Sequence, residues 1–333
     1  MTYIIAEIGQ AHDGSLGILH SYIDAIADSG ANAIKFQTHI AEAESSKDEP
    51  FRVNFSYEDD TRFDYWKRMS FTLEQWKGIK DHCEDVGMEF ISTPSSNAAV
   101  DLLEDVGVRR YKVGSGDTTN YFLLEKIALT KKPIILSSGM HSYPELSGAL
   151  KFLNNFEADV SLLQCTTSYP TKPEDIGLNV ISELGNRFKI PIGFSDHSGM
   201  IFAPLAATVN GAKIIEVHVT FDKRMFGPDS SSSLDIGQFF EMVRGIRYLD
   251  DVLVSPVDKN ETRKFSDLRK MFGKTLAFNR SMKKGEIIGF NDLEHKKPAN
   301  LGVSADRYKE IIGKRLLRDV GKWDFVSEGD FSE

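Results

Sequence analysis

Short apolar runs alternate with longer amphipathic stretches over most of the chain. The apolar runs are rich in β-branched residues and span residues 3–9, 33–38, 89–94, 111–116, 133–139, 160–166, 192–198 and 213–220. Each run has the length of a strand, and segments between them, such as 73–87, carry apolar residues three or four apart, which predicts helices. Eight strand and helix units over about 250 residues favour a (β/α)8 TIM barrel, an α/β fold, over a doubly wound open sheet.

This alternation ends after the helical stretch 236–253, and the residues that follow are strongly charged. We therefore predict a barrel over residues 1–250, a linker over 251–272 and a small second domain over 273–333, where short strands and turns precede one helical stretch. A domain of about 60 residues is only marginally stable by itself, so docking on another surface would stabilise it.

The composition excludes several classes of function. The net charge of −9 argues against a nucleic-acid-binding surface but allows a small anionic ligand. No apolar run approaches the roughly 20 residues of a membrane helix, and residues 1–9 contain neither a basic region nor a cleavage site. We expect a cytoplasmic protein without a membrane or nucleic-acid partner. Cys83 and Cys165 lack the paired spacing of metal ligands and are expected to be buried thiols.

Polar side chains cluster where the predicted strands end. In a (β/α)8 barrel the catalytic groups lie at this C-terminal face. The residues at or just after the strand ends are Glu7, Lys35, Gln37, Thr93, Lys112, Ser115, Asp117, Ser137, Ser195, His197, Glu216 and His218. Past the last strand, Ser233 or Asp235 is expected to cap a helix, and Asp229 could reach a substrate hydroxyl over the barrel mouth.

The stretch FSDHSGM, residues 194–200, suggests a hydrolase triad at first sight. On a strand, however, Ser195 and His197 share one face and Asp196 points away, which excludes a triad. A lone histidine at a strand end is usually a satisfied polar residue. His197 and His218 end consecutive strands about 4.8 Å apart, so both imidazoles can reach one divalent ion, with Glu216 or Glu7 adding an oxygen or orienting water. Mn²⁺, Fe²⁺, Co²⁺ and Zn²⁺ remain open.

Two inward-facing lysines, Lys35 and Lys112, indicate an anion site. The alternative is a structural ion pair with Glu7 or Asp117, because an unpaired buried lysine is costly. Hydroxyl groups surround the lysines on neighbouring strands, at Thr93, Ser115, Ser137 and Ser195. Lysines with hydroxyl and backbone donors suit a phosphate and a carboxylate, so the sequence predicts a phosphorylated small acid.

The motifs IKFQTHI, FISTPSS, YKVGSGD, KPIILSSGM, LLQCTTSYPT, IGFSDHS, IIEVHVTFD and GPDSSSSLD occur in this order. Together they closely resemble the sialic acid synthase family, the phosphoenolpyruvate-dependent nonulosonate synthases. The segments MKKGEIIGFNDLEHKKP and Y..IIGK are similar to that family's C-terminal antifreeze-like (SAF) domain. The resemblance implies a transferase that condenses phosphoenolpyruvate with an N-acylated amino-hexose in its aldehyde form, giving a nine-carbon 2-keto sugar acid and phosphate.

The resemblance also implies roles for individual residues. Phosphoenolpyruvate would be bound by Lys35, Thr93, Lys112, Ser115, Ser137 and Ser195. A divalent metal, usually Mn²⁺ with Mg²⁺ or Co²⁺ as alternatives, would be bound by His197 and His218. The catalytic residues would be Glu7, Lys35, Asp117 and Glu216, and the sugar would contact Gln37, Thr167, Tyr169, Asp229 and Lys297. The small domain would cap the barrel of a partner subunit in a domain-swapped homodimer.

Three positions depart from the family pattern: Ala11, Thr167 and Lys297. Lys297 stands where the family has an arginine that reaches the N-acyl group, and a lysine lacks the planar guanidinium. The acceptor could therefore be N-acetylmannosamine or a related deoxy or diamino sugar. Two other functions stay open: a metal-dependent barrel aldolase or isomerase that does not use phosphoenolpyruvate, and a non-catalytic sugar-acid-binding homologue.

Overall fold

The structure is a computed structural model that describes residues 1–53, 55 and 57–332. The strands are β1 Tyr3–Glu7, β2 Ala33–Thr38, β3 Glu89–Pro94, β4 Tyr111–Val113, β5 Ile134–Ser137, β6 Val160–Cys165, β7 Ile192–Asp196, β8 Ile214–Thr220, β9 Leu234–Asp235, β10 Thr275–Phe278 and β11 Leu293–Lys296. The helices are α1 Leu16–Ala27, α2 Ala41–Glu44, α3 Arg62–Met69, α4 Leu73–Asp85, α5 Asn97–Val106, α6 Tyr121–Leu129, α7 Tyr143–Asn154, α8 Leu178–Phe188, α9 Phe202–Val209, α10 Ile236–Leu253 and α11 Ser266–Phe272.

The first eight strands in the described part of the chain form a closed parallel barrel. They pair in chain order, and β1 also pairs with β8, where Glu7 lies opposite His218. This confirms the predicted (β/α)8 TIM barrel. Several strands are shorter than predicted, because the backbone turns into the loops where the polar residues begin. β4, for example, ends at Val113 and is followed by a 3₁₀ turn at Ser115–Asp117.

The helices around the barrel begin and end at recognisable signals. The α4 helix starts with a capping box in which Thr72 and Gln75 bond each other's backbone, and Gly87 follows its end with φ of +78°. Asp235, one of the two predicted caps, accepts a hydrogen bond from the Gln238 backbone at the start of α10. Cys83 and Cys165 are both buried free thiols.

The barrel interior is layered by the period-two alternation of strand side chains. A closed apolar cluster forms the lower layer, from Ile5, Ala33, Ile91, Ile135, Leu163 and Ile214. Two residues further along each of these six strands, the next side chains on the same face are Glu7, Lys35, Thr93, Ser137, Cys165 and Glu216. The apolar cluster therefore seals the barrel beneath the polar residues at the C-terminal strand ends.

A long excursion, residues 39–72, connects β2 to α4. It contains the short helices α2 and α3 and has its own small core of Ala41, Tyr65, Trp66 and Met69. The His39 ring stacks on Trp66 with centroids 3.8 Å apart, which fixes the start of the excursion against α3. This excursion supplies one side of the cavity described below.

Contacts divide the chain into a first unit, residues 1–255, and a second unit that begins at Pro256. The barrel's last helix continues to Leu253, and residues 266–272, within the predicted linker, form α11. In the second unit, β10 and β11 pair antiparallel around a small core that includes Leu276, Phe278 and Val326. Its assignment as an antifreeze-like (SAF) domain stays a prediction. Across the described residues, none of the helices combines the length and apolar character that spanning a membrane requires.

Candidate active site

A cavity of about 490 Å³ opens at the C-terminal ends of the barrel strands. The predicted site residues that line it are Glu7, Lys35, Gln37, Thr93, Lys112, Ser115, Asp117, Ser137, Thr167, Tyr169, Ser195, His197, Glu216 and His218. Asp229 lies beside the cavity, with its Oδ2 3.9 Å from His218 Nδ1. Lys297 belongs to the second unit, where its ammonium lies 4.9 Å from the Phe272 ring centroid. The structure thus gathers the predicted residues of the barrel at one place.

Two buried lysines and two buried carboxylates form the floor of this cavity. Lys35 Nζ lies 2.8 Å from Glu7 Oε2 and 3.6 Å from Glu216 Oε1, and Lys112 Nζ lies 3.7 Å from the same Glu216 oxygen. The ion pair of Lys35 with Glu7, one of the alternatives left open by the sequence, is therefore present. Both lysines nevertheless also line the open cavity, so the pair does not exclude an anion site.

The charges on this floor depend on one another. Burial opposes the charged form of Lys35, but Glu216 and Glu7 outweigh it and raise the pKa of Lys35. Burial and the nearby Lys35 lower the pKa of Lys112. Burial would raise the pKa of Glu216, yet Lys112 and Lys35 hold it below its usual range. An added anion would stabilise both charged lysines.

Hydroxyl groups complete the surroundings of the lysines. Lys112 Nζ donates to Ser137 Oγ at 2.6 Å, and Lys35 Nζ donates to Thr93 Oγ1 at 3.3 Å. Ser195 Oγ donates to Glu216 Oε1 at 3.3 Å. Each hydroxyl comes from a different strand, so the barrel register itself sets their spacing around the two ammonium groups.

Ser115 and Thr167 approach each other across Gly139, which lies two residues past the end of β5. A side chain at Gly139 would collide with both hydroxyls, so only glycine allows this close approach. Asp117, in the same 3₁₀ turn as Ser115, accepts a hydrogen bond from Asn120 Nδ2 at 2.9 Å. Burial raises the pKa of Asp117, and Glu44 adds to the shift.

His197 and His218 lie at the ends of β7 and β8 with ring centroids 5.3 Å apart. His197 Nδ1 donates to the Thr166 backbone carbonyl at 2.9 Å, which leaves the lone pair on Nε2. Burial lowers the pKa of His197 to about 3, so the ring is the neutral imidazole that metals bind. Asp196, on the opposite strand face, accepts a hydrogen bond from Ser198 Oγ and does not line the cavity.

These two imidazoles fit a divalent ion with an open coordination sphere. Within the described residues no three His, Cys, Asp or Glu side chains are grouped to hold a metal, so the protein would supply two nitrogen ligands and the remainder would come from substrate or water. Glu216 Oε2 is buried, and the described residues offer it no hydrogen-bond partner. It is therefore available to orient a group bound at the histidines.

The loops after β6 and β8 meet above the histidines. The Tyr169 ring lies 4.1 Å from the His197 ring, and Arg52 from the excursion lies 4.0 Å above Tyr169. The same guanidinium donates to the Asp229 carboxylate and to the Pro228 carbonyl. Arg52 therefore links Tyr169 and Asp229, two residues for which the family resemblance implies sugar binding.

One side of the cavity consists of residues that the sequence pattern did not indicate. We call it the outer lobe, and its residues are His39, Glu44, Glu49, Arg62 and Trp66. All five come from the excursion between β2 and α4. His39 belongs to the motif IKFQTHI, which was the one sequence signal for this lobe. The other four residues lie in short helices and turns and not at the end of a strand.

A family model described as the NeuB family matches residues 22–257. The chain belongs to the NeuB family. Over nearly its whole length it is 34% identical to the N,N'-diacetyllegionaminic acid synthase of Campylobacter jejuni, covering 98% of this chain and 99% of that protein. It is 32% identical to the human N-acetylneuraminate-9-phosphate synthase, covering 98% of this chain and 91% of that protein.

The fold comparison agrees with the sequence comparison. The structure of N-acetylneuraminic acid synthetase from Leptospira borgpetersenii superposes with a TM-score of 0.71 at 30% identity, covering 80% of this chain and 90% of that chain. The function of the NeuB family that these relatives share is the synthesis of nonulosonic acids.

Proposed function

We propose that this NeuB family member is a phosphoenolpyruvate-dependent nonulosonate synthase, a transferase that needs a divalent metal. It would condense phosphoenolpyruvate with an N-acylated amino-hexose and water, giving a nine-carbon 2-keto sugar acid and inorganic phosphate. The observation that carries this proposal is that the lysine floor and the histidine pair lie in one cavity. Two buried lysines with neighbouring hydroxyl groups lie close to His197 and His218, and Glu216 interacts with all four of these side chains.

The lysine floor supports phosphoenolpyruvate as the first substrate. This substrate carries roughly three negative charges, and buried ammonium groups attract them strongly because little water screens the site. Lys35 and Lys112 would contact its phosphate and carboxylate. The hydroxyls that would donate further hydrogen bonds belong to Thr93, Ser115, Ser137 and Ser195.

The histidines would hold the metal, with Mn²⁺ as the proposed ion. When bound, it supplies Lewis-acid chemistry that polarises the aldehyde of the acceptor. His197 contributes by holding its Nε2 lone pair toward the cavity, fixed by the bond from Nδ1 to Thr166. Tyr169 covers the His197 ring and would exclude water from that side.

Glu7 would manage the proton that the reaction releases. Carbon three of the enol attacks the aldehyde carbon, water adds at carbon two, and phosphate leaves as the keto group forms. Lys35 and the Gln37 amide, which donates to Glu7 Oε1 at 2.6 Å, hold this carboxylate in one orientation. A fixed carboxylate can accept the proton from the attacking water.

The acceptor sugar is the part of the proposal in which relatives differ. The Campylobacter and human relatives are synthases of different nonulosonic acids, so we infer that the acceptor differs within the family. Ala11, Thr167 and Lys297 depart from the expected family pattern here. We propose that the acceptor is a 2-acetamido or 2,4-diacetamido hexose. We also propose that the enzyme is a domain-swapped homodimer.

The test is release of inorganic phosphate from phosphoenolpyruvate. We expect release only when Mn²⁺, phosphoenolpyruvate and an N-acylated aldose are all present, and loss of release on chelation. Absence of phosphate with a broad panel of N-acylated aldoses would contradict the proposal. Turnover of a phosphate-free substrate without phosphoenolpyruvate would instead support an aldolase or isomerase.

A further inference from the structure

The outer lobe contains two buried polar atoms that lack hydrogen-bond partners. Glu44 has a side chain only 6% exposed, and its Oε2 has no partner within the described residues. Arg62 Nε is likewise buried and donates no hydrogen bond to any described residue, although Glu49 Oε1 lies 3.3 Å away. An acceptor and a donor thus stay unsatisfied in the wall of one cavity, which is costly unless a ligand pairs with them.

A chain of hydrogen bonds fixes which oxygen of Glu44 is free. The Gln37 amide donates to Glu7, so its oxygen accepts from Gln10 at 2.6 Å, and Gln10 Nε2 also donates to His39 Nε2 at 2.9 Å. His39 Nε2 therefore accepts a hydrogen bond, and His39 Nδ1 donates to Glu44 Oε1 at 2.7 Å. Only Oε2 of Glu44 remains to accept from a ligand.

An aromatic surface lies beside these two atoms. His39 and Trp66 stack with an interplanar angle of 15°, and the Arg62 guanidinium lies 4.6 Å from the Trp66 ring centroid. Trp66 Nε1 donates to Glu49 Oε2 at 3.0 Å, which fixes the orientation of the indole. Beside the stacked His39 and Trp66 rings, the lobe therefore offers one acceptor and one donor that have no hydrogen-bond partner among the described residues.

We propose that the outer lobe binds an acylamino group of the acceptor sugar. A secondary amide has an N–H for Glu44 Oε2, a carbonyl for Arg62 Nε and an alkyl group for the stacked rings. A hydroxyl group would leave the aromatic face unused, and a phosphate or carboxylate would be repelled by Glu44 and Glu49. This inference rests on the proposed function and names the specificity residues of its second substrate.

The acylamino group bound here is remote from the reacting aldehyde carbon. Three hydrogen-bonded side chains, Gln37, Gln10 and His39, stand between Glu7 and Glu44. Glu44 therefore contacts a distal substituent, one that a 2,4-diacetamido sugar carries as an amide and N-acetylmannosamine carries as a hydroxyl.

The test compares these two sugars with Glu44→Gln. The glutamine side chain keeps an oxygen that accepts from His39 but carries an NH₂ group in place of Oε2. This NH₂ group cannot accept from the N–H of the sugar's acylamino group, and the side-chain volume is unchanged. We expect kcat/KM to fall about 10- to 100-fold for 2,4-diacetamido-2,4,6-trideoxymannose and less than about 3-fold for N-acetylmannosamine. Glu42→Gln, exposed on the same helix, should alter neither. Equal losses for both sugars, or no loss, would overturn the proposal.

A second variant and a binding measurement separate this inference from the proposed function. Arg62→Met keeps the side-chain stem over Trp66, removes the donor and should show the same discrimination. Saturation-transfer NMR would follow the acetyl methyl protons of the reduced, unreactive 2,4-diacetamido hexitol. A methyl signal that is present in the wild type and lost in Glu44→Gln would support binding of the acylamino group in the outer lobe. If the wild type gave this signal but released no phosphate, only the proposed function would be contradicted. No methyl signal in the wild type overturns the inference.

Discussion

The lysine floor and the outer lobe are two sides of one cavity, but the chain builds them differently. The floor consists of side chains that alternate along consecutive strands, directly above the apolar layer of Ile5 and its neighbours. The outer lobe consists of side chains from an excursion with its own small core around Tyr65 and Trp66. The barrel register fixes the spacing of the floor, whereas the excursion can change without disturbing the barrel.

This difference matches the two proposed substrates. Phosphoenolpyruvate is common to the proposed reaction whatever the sugar, and it would lie on the part that the barrel fixes. The relatives are synthases of different nonulosonic acids, and the proposed acceptor sugar would lie on the part that a loop supplies. Variants on the two sides should therefore separate effects on phosphoenolpyruvate from effects on the acceptor.

The largest effect is expected from Lys112→Met on the floor. Removing this buried charge should lower kcat/KM for phosphoenolpyruvate by about 10³-fold. The melting temperature should not fall, because burial and Lys35 disfavour the charged form of Lys112. Glu216 would also keep its ion pair with Lys35, whose Nζ lies 3.6 Å from Glu216 Oε1. Steady-state kinetics and calorimetry measure both. Lys126→Met, a surface control, should leave the kinetics unchanged; near-normal activity of Lys112→Met would favour a reaction without phosphoenolpyruvate.

A loss of metal binding is expected from His197→Ala. With one of two imidazoles removed, the affinity for Mn²⁺ should fall by at least about 100-fold, and metal-dependent activity should fall with it. Isothermal titration with Mn²⁺ measures the affinity directly. His295→Ala, exposed in the second unit, serves as the control. A His197→Ala protein that stays active and metal-dependent would remove His197 from the site.

Arg52→Met should affect the acceptor side alone. Arg52 joins Asp229 and Tyr169, so its loss should raise the KM for the acceptor about 10-fold and leave the KM for phosphoenolpyruvate unchanged. Lys47→Met, exposed in the same excursion, is the matched control. A rise in the KM for phosphoenolpyruvate of similar size would show that the two sides are not separate.

The smallest effect is expected from Trp66→Phe in the outer lobe. A phenyl ring can still stack on His39, but the hydrogen bond from the indole to Glu49 Oε2 is lost. The KM for a diacetamido acceptor should rise about 3-fold, since one partly buried hydrogen bond is removed. An unchanged KM for that acceptor would argue that the indole orientation does not shape the lobe.

The two sides also differ in how far the sequence reveals them. Period-two alternation in runs such as 33–38 places Lys35 and Gln37 on one face, and the same rule excludes Asp196 from the cavity. No comparable rule applies to residues 39–72, where α2 has only four residues and tertiary packing brings Glu44 and Arg62 to the wall of one cavity. The pairing of Lys35 with Glu7 was one of two alternatives in the sequence, because residues alone do not show which carboxylate lies nearest.

The position of the domain boundary is likewise only partly predictable from the sequence. The charged composition after residue 250 indicates a break, yet α10 continues to Leu253 and α11 forms within the charged stretch. Helix ends depend on local caps that composition does not reveal. The role of Lys297 stays a prediction, because it would depend on a partner subunit in the proposed homodimer.

The central claim, a condensation of phosphoenolpyruvate with an amino sugar, is tested most directly by mass spectrometry of the product. The wild-type protein would be incubated with Mn²⁺, phosphoenolpyruvate and a mixture of 2-acetamido and 2,4-diacetamido hexoses. We predict a new species that equals one acceptor plus one pyruvate unit, formed in equal amount with inorganic phosphate. Unchanged sugars and phosphoenolpyruvate, or a sugar product that forms without phosphoenolpyruvate, would contradict the account.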